Sequence, residues 1–370
     1  MNRGILRYLW RFVIAAGAIN MAYAEQPLRV LNWGDYIDPE VIQEFEEEFR
    51  TKVEYVEYNS VDEFSTFFFN QKNQYDVIFP ASRIVRRLAE NDLIRPLEVS
   101  RLPDYRSLRS GIMQEYRQQD VNGVHGIPYM WGTTGMGIDL AAMKRLGIDG
   151  RQSSWALLFN AELRKKVAAC GIALLNERDE IFAAALRYLG YSINTTDKAQ
   201  IDQAGELIKE TLADVKYLHT TQYRADLHDH KVCLVVGYSG DILAETSEDD
   251  TLDYVIPDEG AAMWIDVMAI PSNSENTALA YDFIRFMMRA GIAARNSDYL
   301  AYPTAMQSAL TQVDKEILDN PVIYPSVDVL NKLEAMKPLD RKTNGRMHRL
   351  WVKAMCSGRS WCSVPLKSFF

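Results

Sequence analysis

From Leu28 onward, short apolar runs alternate with amphipathic stretches. "LRVLN" at 28–32 reads as a strand, and after it Val41, Phe45 and Phe49 recur at helical spacing behind Pro39, a residue suited to a first helical turn. "KVEYVEY" at 52–58 is a second strand, Ser60 and Glu63 have capping-box spacing ahead of a Phe-rich helix, and "YDVIFP" at 75–80 is a third strand. This β-α-β-α-β order predicts a parallel α/β sheet. Residues 153–259 alternate again, with helices near 180–189 and 199–213 and a strand "KVCLVVGYSGD" ending at Asp241. The strand "MWIDVMAI" at 263–270 and the helix "ENTALAYDFIRFMMRA" follow. "IPYMWGTTGMGID" at 127–139 reads as a crossing between two units, with Gly132 and Gly135 placed to absorb hinge rotation.

The first residues change the setting. Arg3, Arg7 and Arg11 precede an apolar run from Phe12 to Ile19 and the small-residue pattern Ala22-Tyr23-Ala24, which predicts a secretory signal cut after Ala24. The run is shorter than the roughly 20 residues that span a bilayer. Removal of this leader takes the net charge of −9 to about −12, and clustered basic charge of the kind nucleic acids need is missing. An even count of four cysteines in an exported chain favours disulfides, Cys170 with Cys233 ahead of Cys356 with Cys362. The length exceeds what one core serves, so two lobes are expected. They are 25–131 plus 260–305 and 132–259 plus 306–353, with 354–370 as a C-terminal extension.

Ligands of open α/β sheets gather beyond the carboxyl ends of strands, which directs attention to "WGDYI" at 33–37 and "PASR" at 80–83. At three places a carboxylate stands close to an aromatic residue: Trp33 with Asp35 and Tyr36, Tyr238 with Asp241, and Trp264 with Asp266. Asp266 interrupts a run that otherwise reads as a buried strand, and a buried charge needs a partner. An exported hydrolase could use Asp35 and Asp266 as an acid–base pair, but neither a GxSxG nor an HExxH motif accompanies them. "HDH" at 228–230 lies in an acidic, polar stretch and reads as solvated surface rather than a metal site.

Taken in order, "VLNWGDYIDPEVI", "YDVIFPAS", "GIPYMWGTTGMGID", "CGIALLNERDEIFAAALRYLG", "YLHTTQY", "VCLVVGYSGD", "IPDEGAAMWIDVMAIP" and "NPVIYP" resemble the periplasmic polyamine-binding proteins of ABC transporters, particularly the putrescine-binding branch. The resemblance runs from about Leu28 to Lys353. It implies a type II periplasmic-binding-protein clamshell, α/β in both lobes, that is not an enzyme, uses no cofactor and works as a monomer. Such a receptor closes on a polyamine, putrescine first, and delivers it to an inner-membrane permease; a spermidine- or agmatine-preferring receptor, or a polyamine sensor of the same fold, is the alternative. The implied ligand-binding residues are Asp35, Tyr36, Ser82, Glu180, Tyr238, Asp241, Trp264, Asp266 and Tyr324, and the implied disulfide is Cys170–Cys233.

Four positions depart from the putrescine-binding pattern. Gly34 replaces a usual Ser, Tyr238 a usual Trp and Trp264 a usual Phe, the last as in spermidine binders, whereas Asp241 suits a compact diamine. Arg83, beside the serine assigned to the pocket, is expected to point outward, because a guanidinium facing the cleft would repel a polyamine.

Overall fold

The computed structural model describes residues 26–70, 74–120, 123–148, 153–246 and 249–357. The leader and most of the C-terminal extension, including Cys362, lie outside the described residues. Two sheets form the frame. In the first, β1 (Leu28–Trp33) lies between β2 (Val53–Tyr58) and β3 (Val77–Ile78), all parallel. The second is built around β4 (Ile127–Asp139), a 13-residue strand buried along its whole length. Along the chain come β5 (Ile172–Leu175), β6 (Tyr217–His219), β7 (Leu234–Tyr238), β8 (Leu252–Val255), β9 (Ala262–Met268) and β10 (Glu334–Ala335). Their order in space is β10-β9-β4-β7-β5-β6, with β8 also paired to β4.

Local chemistry sets the helix starts that the sequence predicts. Asp38 accepts from the Glu40 N–H ahead of helix Pro39–Phe49. Ser60 Oγ accepts from the Glu63 N–H, while Glu63 Oε2 accepts from the Asn59 N–H, so the box closes one residue earlier than the usual reciprocal pair. Strand "KVCLVVGYSGD" is shorter than expected: β7 stops at Tyr238, and Asp241 stands in the first turn of helix Ser239–Thr246.

Two apolar cores lie on either side of the crossing strands. One gathers Leu28–Trp131 with Met263–Val313, and the other is built from residues between Met136 and Ala261, joined by Met347 and Ala354 of helix Arg341–Cys356. The chain returns to the second lobe later than the sequence suggests. Met306, Ala309 and Val313 are buried in the first core, with Ile317, Leu318 and Tyr324 packed against it, so 306–318 packs with the first lobe, whereas Val322 packs against second-lobe residues. Strand β4 carries the crossing: Pro128 pairs with Val267 of β9 in the first lobe, and Ile138 pairs with Leu234 of β7 in the second.

Gly132 and Gly135 sit inside this continuous strand, and neither has the positive φ that would call for glycine. They allow close approach instead. A Cβ on Gly132 would overlap the Trp264 indole, and one on Gly135 would meet the Tyr254 ring at 2.6–2.8 Å. Cys170 and Cys233 are joined with Cα atoms 5.7 Å apart, tying the turn after helix Ala161–Val167 to the start of β7. Cys356 is also disulfide-bonded.

Candidate functional site

Strand β9 carries the centre of the site. It is buried on both faces, so Asp266 has no route to solvent along the strand. Residues of a strand alternate in direction, and Ile265 and Val267 join the first core. Trp264, itself part of the first core, and Asp266 lie on the other face of the strand. Trp264 packs edge-on against Tyr238 of β7, with centroids 5.8 Å apart, and against Tyr302, 4.9 Å away. Tyr302 in turn stands 5.8 Å from Tyr36, completing a cage of rings from both lobes.

Asp266 is 6 % exposed, and the Tyr36 hydroxyl donates to its Oδ2 at 3.0 Å. Burial pushes its carboxyl up to about 7; Tyr36, Arg83 and the nearby Trp33 indole N–H pull against that shift, and Glu180 adds to it. The carboxylate is thus held in a low-dielectric box of aromatic rings with less positive charge than it needs. The Trp264 indole N–H, also enclosed, has no hydrogen-bond partner.

Across the cleft, the first turn of helix Arg178–Tyr188 brings up Asp179 and Glu180, with Glu177 one residue ahead. Acidic residues favour this end of a helix, where the unpaired backbone N–H groups lie. Glu180 is 1 % exposed, and neither of its oxygens has a hydrogen-bond partner by geometry; the Thr134 hydroxyl beside it is likewise unengaged. Burial raises the Glu180 carboxyl above its usual range and raises Glu177 to about 7.

Arg83 is placed opposite to expectation. Instead of pointing outward, its guanidinium spans the cleft to Glu177 at 3.7 Å, Asp179 at 3.9 Å and Glu180 at 3.9 Å. The argument from repulsion omitted the three carboxylates that the second lobe presents to it. Together they hold the Arg83 proton more tightly than usual despite burial.

At the other end, Asp241 accepts from the Tyr223 hydroxyl at 2.9 Å and the Tyr302 hydroxyl at 3.1 Å. Arg224 lies between Glu245, 3.4 Å away, and Asp35, 4.0 Å away. Tyr36, Glu180, Tyr238, Asp241, Trp264 and Asp266 therefore converge from the two lobes. Asp35 is at the rim, its side chain 81 % exposed and its backbone left-handed at φ 52°. Ser82 turns into the first lobe, donating to Gln119 Oε1 at 2.7 Å. Tyr324 joins its hydroxyl to Ser297 and to the Thr304 N–H beneath the Tyr302 turn.

Sequence reasoning misplaced Arg83 and did not single out Glu177, Asp179, Tyr223 or Tyr302. Tyr302 had one available signal: an aromatic next to Pro303, just after a helix that ends on the left-handed Ala301. The "HDH" stretch proves to be part of a surface ion cluster. His230 Nδ1 lies 2.9 Å from Asp139 and Nε2 3.1 Å from Asp249, and these acids raise its proton affinity. Among the described residues, no group of three or more His, Cys, Asp or Glu is arranged to hold a metal.

This geometry has relatives. Residues 40–323 match the family described as bacterial extracellular solute-binding protein. The chain is 34 % identical over 354 residues to the putrescine-binding periplasmic protein SpuD of Pseudomonas aeruginosa, covering 93 % of this chain and 96 % of that one. It is 30 % identical over 358 residues to the putrescine-binding periplasmic protein PotF of Escherichia coli, covering 93 % and 97 %. Among solved structures, a putative spermidine/putrescine ABC transporter protein from Listeria monocytogenes superposes with a TM-score of 0.80 at 30 % identity, covering 89 % of this chain and 99 % of that one. With its two α/β lobes and a cleft lined by carboxylates and rings, the chain belongs to the bacterial extracellular solute-binding proteins, in the non-enzymatic family of periplasmic polyamine-binding proteins of ABC transporters.

Proposed function

We propose that this chain is a periplasmic receptor that captures a polyamine, putrescine above all, between its lobes and delivers it to an ABC-transporter permease. The observation that carries the reading is Asp266: a buried carboxylate, bonded to Tyr36 and close to Trp33, that has no salt-bridge partner among the described residues. A ligand ammonium supplies that charge, and the rings cover the adjoining methylenes. A charge-assisted hydrogen bond contributes roughly 1.5–3 kcal/mol, a desolvated cation–π contact about 2, and each buried methylene about 0.8. Asp241, bracketed by two tyrosine hydroxyls, is the second anchor.

Putrescine has few heavy atoms, and at the ceiling of about 1.5 kcal/mol per atom its affinity reaches about the micromolar range or slightly better. The names of the similar proteins support the choice of diamine, and the basic–apolar–small leader at residues 1–24 supports export to the periplasm. The test is isothermal titration of the ligand-stripped mature protein with putrescine. Saturable one-to-one binding at micromolar or lower concentration is the expected result; no heat or thermal stabilisation with any polyamine refutes it.

A further inference from the structure

Arg83 occupies an unusual position for a cation. It is the second residue of helix Ser82–Glu90, near the end whose partial charge is positive, and its side chain is only 13 % exposed. Both circumstances disfavour it. What holds it there is the opposing lobe, where three carboxylates stand within 4 Å of the guanidinium.

The form of this contact matters as much as its existence. None of the three distances is short enough for a direct hydrogen bond, whereas a guanidinium fixed by one carboxylate makes a tight, forked pair. Arg83 is instead shared among three acids by charge alone, and a compact ammonium could take the same place. Glu180 makes the point sharper, since both its oxygens are enclosed and have no hydrogen-bond partner even with Arg83 present.

We propose that Arg83 is a length-selecting residue of the cleft: its guanidinium stands where an additional ammonium of a longer polyamine would sit among Glu177, Asp179 and Glu180, and so reserves the site for a short diamine. The inference rests on the polyamine reading above. Asp266 and the ring cage remain for the ligand, and the protein itself supplies the cation for the acidic end. Without Arg83, three carboxylates on one helix turn lose their shared counter-charge, and a third ammonium becomes favourable there.

The test is titration of the wild-type protein, Arg83→Ala and Arg83→Lys with putrescine and with spermidine, alongside thermal melts of each. Arg83→Ala is expected to raise the spermidine-to-putrescine affinity ratio by at least about tenfold, while Arg83→Lys, which keeps the cation, holds it within about threefold of wild type. Should Arg83→Ala fail to fold, Arg83→Gln carries the same expectation. An unchanged ratio in a variant that still binds putrescine overturns the role of Arg83 alone. A parallel loss of both ligands overturns it too, and shows a bond that merely holds the lobes together. If the wild-type protein binds neither polyamine, the functional reading fails and takes this inference with it.

Discussion

Replacing Asp266 by Asn separates the two things this carboxylate does. In the folded chain by itself it is a liability. Its carboxyl is raised from 3.8 to about 7, first by burial, so the folded protein holds that proton more tightly than the unfolded chain. A raised folded value contributes stability that is fully present below about pH 4 and is lost as pH rises through about 7. The difference corresponds to roughly 4 kcal/mol withheld above pH 7. Asn has no charge to desolvate, and its carbonyl oxygen can still accept the Tyr36 hydroxyl bond. The ligand-free Asp266→Asn protein is therefore expected to be more stable than wild type at pH 8, by up to about 4 kcal/mol, and to converge with it near pH 4.

Binding moves the other way. An ammonium that meets Asn in place of a carboxylate is left buried and unpaired, which costs about 3 kcal/mol or more, a loss of at least about 100-fold in affinity. The assay is denaturant unfolding at pH 8 with and without putrescine. Without ligand, the variant is the more stable protein. With putrescine at about 100 times the wild-type Kd, the wild type gains about 2.7 kcal/mol while the variant gains little. A variant that keeps wild-type affinity within about threefold, or that is destabilised at pH 8 without ligand, refutes the assignment of Asp266 as the buried counter-charge.

Three further outcomes test the same site and its frame. The Asp266 carboxyl, pushed up to about 7 by burial, must be ionised to hold a cation, so putrescine affinity should fall from pH 8 to pH 5 with proton release near neutrality. Titration in buffers of different ionisation enthalpy reads that release, and an affinity flat over this range contradicts it. Gly132→Ala places a methyl against the Trp264 indole, displacing the ring from the cage; binding should weaken about tenfold or more with the fold retained by circular dichroism, and unchanged binding would show that Trp264 does not cover the ligand. The Cys170–Cys233 bridge spans 63 residues within the second lobe. Replacing both cysteines with Ala should cost about 4 kcal/mol by denaturant unfolding, and a loss below about 1 kcal/mol would mean the bridge constrains little.

The frame of the molecule was legible because it is written in local periodicity. Val41, Phe45 and Phe49 announce a helix and the apolar run 127–139 announces a crossing, and both are where those patterns put them. Asp266 stood out for a different reason: a charge in a run of otherwise buried strand residues contradicts its surroundings, and the structure does bury it against the Tyr36 hydroxyl. The signals weakened where a role depends on which way one turn of helix faces. Ser82 and Arg83 are neighbours at the start of the same helix, yet one hydroxyl turns into the lobe toward Gln119 while the next side chain reaches across the cleft. About 100° of rotation per residue decides between them, and no pattern around 80–83 fixes its phase.

The expectation that Arg83 points outward failed for an electrostatic reason that reaches beyond this residue. It compared the guanidinium with the ligand and left out the facing lobe, because Glu177, Asp179 and Glu180 are nearly a hundred residues away and meet Arg83 only after the lobes pack together. Repulsion between two cations is a pairwise quantity, whereas the charge of a closed cleft is a sum over both walls. Here three carboxylates face the single guanidinium of Arg83. Glu177 and Asp266 hold protons up to about pH 7 because the cations present do not offset their burial. On the proposed polyamine reading a cationic ligand is still attracted, and the effect proposed for Arg83 falls on where the ligand's charges sit.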